Sequence, residues 1–233
     1  MRRAVLGSLA VLAAVVLATS TFAQADASTW FRHTQWRLNN FGCDAGPTTG
    51  SPNDHTKAGI IRFQAANWLA QTGTLTDATK AKLLKSTSVH CDERPVPSKS
   101  GTGRRIVISQ KQNWIWLVRE GGDIAAQGGM IDNPDIVSVG TYYSGSKCGR
   151  PAKILHNLSY DHKLTLDYFT RIIACGVGIH RVPTYVGTDR QIHPDWMLGT
   201  NMMTSHGCTR VSNETAKHIW NFADPGTKVV VVR

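Results

Sequence analysis

The apolar pattern of this chain changes period partway along, so neither a single helical bundle nor a single sheet accounts for it. From Thr34 to Leu84 apolar residues recur at helical spacing: Trp36, Leu38 and Phe41, then Ile60, Ile61, Phe63, Ala66 and Trp68, then Ala78, Ala81, Leu83 and Leu84. Asn53 or Asp54 can cap the second helix and Thr76 the third. The pattern stops between Asp92 and Gly103, where Pro95, Pro97, Ser98, Ser100 and Gly101 read as a linker. Beyond it come strand-like runs at Arg105–Ser109, Trp114–Arg119, Ile124–Met130, Thr141–Tyr143, Leu164–Phe169, Ile172–Gly176 and Lys228–Val232. One helix interrupts them over Glu214–Phe222, with Ser212 or Asn213 as its cap and Ala216, Ile219 and Trp220 facing inward. The expected class is α+β: a small three-helix N-terminal domain over 28–92, a linker over 93–103, and a mainly-β domain over 104–233.

The first residues bear on compartment. Arg2 and Arg3 precede an apolar run from Ala4 to Ala18, then polar residues and Ala23-Gln24-Ala25, which reads as a secretory signal peptide over 1–25. The run is shorter than the roughly 20 residues a membrane-spanning helix needs, so no stable membrane insertion is expected; an uncleaved anchor is the alternative. The chain is expected to be a secreted bacterial monomer of the cell wall or periplasm. Its formal net charge is +10, with the basic residues scattered rather than in runs. Export and scatter together argue against nucleic acid as a partner and for an anionic wall polymer.

An oxidising compartment pairs cysteines, and five of them leave one over: Cys43, Cys91, Cys148, Cys175 and Cys208. Cys43 with Cys91 and Cys148 with Cys175 each lie within one compositional block, which favours those disulfides and leaves Cys208 free. The first would also support a domain too small to build a thick core. Structural zinc sites bring ligands in close pairs such as C-x-x-C, a spacing these cysteines lack, so no metal is expected; no organic cofactor is implied either.

Cys208 lies in Ser205-His206-Gly207-Cys208-Thr209-Arg210. A thiol attacks as thiolate, which a nearby imidazole and guanidinium favour, and Gly207 lets backbone amides approach the oxygen of an attacked carbonyl. The other reading is a buried, inert cysteine beside a turn. A cysteine nucleophile needs a base, and His180, His206 and His193 are the candidates. His180 closes a strand-like run and is expected at a sheet rim, while His206 is expected to shape the turn or contact substrate. The alternation Trp114-Ile115-Trp116 fits half-buried strand aromatics, or a surface that stacks on sugars.

Gly178-Ile179-His180, Ser205 to Arg210, Asn213 to Trp220 and Gly226-Thr227-Lys228-Val229-Val230 resemble the catalytic domain of L,D-transpeptidases of the YkuD type, as does Arg105 to Met130. Phe41 to Pro47, Thr56 to Gln64 and Gly73 to Leu84 resemble the peptidoglycan-binding-like three-helix module. The resemblance implies Cys208 as acylated nucleophile and His180 as general base. It implies His206 and Gly207 in the substrate and oxyanion environment, with Ser205 and Thr209 at the substrate and Arg210 orienting the site or a substrate carboxylate. Peptidoglycan stem peptides and glycan strands are the implied partners, and 3→3 cross-linking with release of D-alanine the implied activity. An L,D-carboxypeptidase using the same site and a non-catalytic wall-binding protein are the alternatives. The segment Arg181 to Thr204 is longer than the family's usual one and is expected to form a lid over the cleft. The Cys148–Cys175 pair is not a general family feature and would brace the strand leading to His180.

Overall fold

The structure, a computed structural model, describes residues 28–173 and 175–233. The expected signal peptide therefore lies outside the described residues. Residues 28–40 are helical (α1), followed by α2 (Asp54–Ala66) and α3 (Asp77–Leu83). The Asn53 side chain accepts from the Thr56 N–H and that of Thr76 from the Thr79 N–H. Each thereby satisfies a first-turn donor that the helix cannot satisfy itself. Leu38, Phe41, Ile60, Phe63, Ala66 and Leu83 close around the Cys43–Cys91 disulfide. Trp36, Trp68 and Leu84 are exposed instead, as are Ala78 and Ala81. A seven-residue helix offers one narrow inward stripe, and Thr79 and Leu83 occupy it. Thr79 sits there because Gln64 Nε2 donates to its hydroxyl at 3.0 Å.

Ten strands follow among the described residues: β1 (Arg105–Ser109), β2 (Trp114–Val118), β3 (Ile124–Ile131), β4 (Gly140–Tyr143), β5 (Lys153–Leu158), β6 (Leu164–Arg171), β7 (Gly178–Arg181), β8 (Thr184–Tyr185), β9 (Thr209–Val211) and β10 (Lys228–Val232). They form one sheet in the order β4-β10-β1-β2-β3-β9-β7-β6-β5, with β8 also paired to β6. β1 runs parallel to β10 and β7 parallel to β9. β3 joins the two halves, because Ile124 to Gly129 pair with β2 while Met130 and Ile131 pair with β9. The expected strand Ile172–Gly176 is corrected: β6 extends to Arg171 and the chain turns before β7 starts at Gly178.

Strands β1, β2 and β10 are buried on both faces. Ile106, Ile108, Ile115, Leu117, Val229 and Val231 pack under Ala216 and Ile219 of α4 (Asn213–Phe222), which Ser212 caps. On the other face Val107, Trp114, Trp116 and Val230 pack against Val96. Trp220 is only half-buried; it lies edge-on to Tyr168 with the Lys153 ammonium over its ring. Neither strand tryptophan is available to a sugar. Trp116 Nε1 donates to the Arg94 carbonyl at 2.9 Å, and the Arg94 guanidinium lies 3.9 Å from the Trp114 ring centroid.

Two buried arginines join the helical region to the sheet. Arg62 of α2 donates to the carbonyls of Cys43 and Asp44 on one side and of Trp196 and Leu198 on the other. Arg94 donates to the carbonyls of Cys91, Gln112 and Arg62. Burial lowers the pKa of both, Arg62 to about 10 and Arg94 to about 9, so both stay charged at neutral pH. His55 stacks on Trp196 beside Arg62, with ring centroids 5.1 Å apart. Because an unpaired buried carbonyl costs about 1–3 kcal/mol, Arg62→Met is expected to lower stability by about 2–4 kcal/mol. A urea midpoint equal to the parent's would show those four bonds to be net neutral.

Candidate active site

Cys208 stands immediately before β9 and is the free cysteine among the described residues. The second disulfide, Cys148–Cys175, closes beside it. The turn that presents Cys208 hangs from the end of β3. Ser205 N–H donates to the Asp132 carbonyl at 3.0 Å, and Asn133 Nδ2 donates to the Ser205 carbonyl at 2.9 Å. Gly207 has φ +130°, a conformation open to glycine, and a Cβ there would sit 3.2 Å from Ile136. Its N–H donates to Ser205 Oγ at 3.0 Å. That amide is therefore already engaged, a departure from the expectation that it faces a substrate oxygen.

The half-buried thiol of Cys208 donates to the Gly176 carbonyl at 3.5 Å, and among the described residues no hydrogen bond joins it to an imidazole. Burial pushes the thiol above its ordinary value, while the Gly178 N–H and the charges of Arg210 and Arg171 pull the other way. Arg210, on β9, is almost wholly buried, yet its guanidinium makes no hydrogen bond or ion pair among the described residues.

His180 sits in β7, in register with Arg210 of the parallel β9. It is 2% exposed. The sheet continues on both sides of β7, so His180 lies inside the sheet and not at its rim. Nδ1–H donates to the Arg181 carbonyl at 2.6 Å, which leaves Nε2 as the basic nitrogen. Phe169 stacks on the ring with planes 15° apart. Burial lowers its pKa to about 4, so the imidazole is neutral across the physiological range.

Cys208, His180 and Arg210 line one cleft of about 600 Å³, together with Ser205, His206 and the arginines Arg150 and Arg171. His206 is exposed at its mouth. Thr209, expected at the substrate, is instead fully buried with its hydroxyl unpartnered among the described residues, because alternation along β9 turns it away from the cleft. His193 is also buried and does not line the cleft; its Nδ1–H donates to the Pro194 carbonyl at 3.1 Å. The outer wall is the β5–β6 hairpin, including Leu158, Leu164 and Leu166, while Pro183 is the one residue of Arg181 to Thr204 on the lining. The expected lid is thus corrected. Leu198 and Val182 pack on Ile131, and the carbonyls of Trp196 and Leu198 hold Arg62, which fixes that segment against the helical region. Arg150 and Arg171 went unread in the sequence. A charge closing the apolar stretch of Tyr168 and Phe169 was the signal available for Arg171.

A free thiol, a buried imidazole and a guanidinium without an ion-pair partner among the described residues thus share one cleft of a curled sheet. A family model described as the L,D-transpeptidase catalytic domain, YkuD, matches residues 103–231, more than half of the chain, and a peptidoglycan binding domain model matches residues 31–83. The chain belongs to the YkuD L,D-transpeptidase family. Its fold is similar to that of an L,D-transpeptidase from Xylanimonas cellulosilytica DSM 15894, at 17% identity and a TM-score of 0.51, covering 87% of this chain and 92% of that one. Further similar structures are an L,D-transpeptidase from Stackebrandtia nassauensis (17% identity, TM-score 0.45, 88% and 91% covered) and one from Mycobacterium tuberculosis H37Rv (22%, 0.43, 57% and 59%). Comparison with curated proteins found no match. Among the described residues no helix is long and apolar enough to cross a membrane, and no group of three or more His, Cys, Asp or Glu could hold a metal.

Proposed function

We propose that this protein is an exported, cysteine-dependent peptidoglycan L,D-transpeptidase. Its helical region over 28–92 would engage glycan strands, and its domain over 104–233 would carry the chemistry. The observation that carries the reading is the shared cleft of Cys208, His180 and Arg210 in a chain of this family.

Cys208 Sγ attacks the carbonyl of the L-centre joined to the terminal D-residue of a donor tetrapeptide, and its proton passes from the Gly176 carbonyl side to His180 Nε2. The Cys208 N–H is the donor we assign to the resulting oxyanion, since Gly207 N–H is held by Ser205 Oγ. Collapse breaks the C–N bond, His180 returns the proton to the departing amine of D-alanine, and a thioester remains. A side-chain amine of an acceptor stem then attacks that thioester. His180 takes the amine's proton and returns it to the leaving Cys208 sulfur, leaving a 3→3 cross-link.

Incubation with purified disaccharide-tetrapeptide, followed by mass spectrometry, tests this directly. A dimer lighter than two monomers by one alanine is expected. Monomer shortened by one residue as the sole product would make the protein an L,D-carboxypeptidase, and unreacted substrate would leave a wall-binding role alone.

A further inference from the structure

The cleft holds more positive charge than one terminal carboxylate requires. Arg150, Arg171 and Arg210 all line it, and none has a carboxylate within ion-pair distance among the described residues. The acidic residue on the lining, Asp161, sits at the hairpin tip and is already engaged by the Ser159 hydroxyl at 2.7 Å and Lys163 at 3.8 Å. Uncompensated guanidiniums are costly to gather in a partly desolvated cleft unless an anion arrives to meet them. Arg150 and Arg171 also share one mounting. Arg171, fully buried at the end of β6, donates to the carbonyls of Pro151 and Cys175. Pro151 follows Arg150 directly, and Cys175 is tied to Cys148 by the disulfide. The next carbonyl, that of Gly176, is the one that accepts from the Cys208 thiol. The disulfide thus fastens both arginines to the segment that also positions the thiol, whereas Arg210 stands apart on β9.

We propose that Arg150 and Arg171 form a carboxylate-reading subsite that selects donor peptides carrying a second carboxylate, on a side chain, in addition to the terminal one served by Arg210. Arg150 is exposed and makes no hydrogen bond through its side chain among the described residues, so its guanidinium is available for a bidentate pair. Arg171, held by two carbonyls, supplies fixed charge behind it. The inference rests on the acyl-transfer reading of Cys208.

Two synthetic tetrapeptide donors test it, identical except that the residue supplying the attacked carbonyl bears a side-chain carboxylate in one and the carboxamide in the other. The rate of acyl-enzyme formation is read by intact mass for the parent, Arg150→Gln and Arg150→Glu. The parent is expected to prefer the carboxylate donor by about ten- to hundredfold, Arg150→Gln to bring that ratio within a few-fold of unity, and Arg150→Glu to reverse it. Equal rates in the parent, or a ratio unchanged in both variants, would overturn the subsite while leaving acyl transfer standing. If neither donor acylates the parent although iodoacetamide alkylates Cys208, the acyl-transfer reading fails and the subsite with it.

Discussion

Cys208→Ala is expected to abolish the covalent acyl adduct and to lower donor turnover by roughly 10⁴- to 10⁶-fold, the range seen when a nucleophile acting within a catalytic unit is removed. The size follows from the arrangement of the cleft. Its other groups can bind and polarise a peptide carbonyl, but none of them replaces a soft, half-buried sulfur as the atom that forms the new bond. The effect should be confined to chemistry. Cys208 is outside both disulfides, and its side-chain hydrogen bond is a long one of 3.5 Å to a carbonyl, so the variant is expected to keep its unfolding midpoint within about 1 kcal/mol of the parent. Intact-mass spectra after incubation with the tetrapeptide donor check the claim. An adduct of equal mass and yield on Cys208→Ala would move the nucleophile elsewhere, whatever the turnover.

Local chemistry was legible in the sequence, and long-range burial was not. The change of period at Asp92 to Gly103 separated helices from strands because side-chain alternation is a property of neighbours. Cysteine parity worked for a similar reason: pairing within blocks matched Cys43 with Cys91 and Cys148 with Cys175. Thr209 shows the limit. A three-residue strand of Thr, Arg and Val has too little pattern to reveal itself, yet once it pairs with β3 and β7 its alternation turns Arg210 and Thr209 to opposite sides. The parallel pairing of β1 with β10 brings opposite ends of the sheet domain together, and no local signal encodes it.

The buried arginines show the same limit. Nothing local in the sequence marks Arg62 and Arg94 as buried, because their burial depends on carbonyls supplied by Trp196, Leu198 and Gln112 once the chain has folded. The same guanidinium chemistry that fixes the domain joint, donating to several carbonyls at once, recurs at Arg171 beside the cleft. Burial there holds Arg171 in place, while the exposure of Arg150 leaves its charge available. The expected lid failed on this point. A long segment between His180 and Ser205 was read as a cover for the cleft, but its carbonyls are the acceptors for Arg62, which ties it to the helices instead.

His180→Gln is expected to slow acylation by roughly 10²- to 10⁴-fold, the usual contribution of a positioned general base, while Cys208 remains open to alkylation by iodoacetamide. The pH profile of the parent separates this role from a merely structural one. The base works only when Nε2 is unprotonated. Burial, and secondarily Arg210, disfavour the imidazolium, and the bond to the Arg181 carbonyl and the charge of Asp167 oppose them without offsetting them, so the ring protonates at about 4. Acylation should therefore hold steady from pH 8 to 5 and fall as pH drops through about 4, whereas a solvated histidine would place that limb near 6.5. Stability moves in the same direction and must be measured alongside. With the folded pKa below the unfolded value of about 6.5, His180 contributes fully above pH 6.5, and that contribution declines as pH falls from there toward 4. Rates normalised to the folded fraction that still break near 6.5 would mean that the working base has the pKa of a solvated imidazole, and the buried His180 would have to give up that role to another histidine.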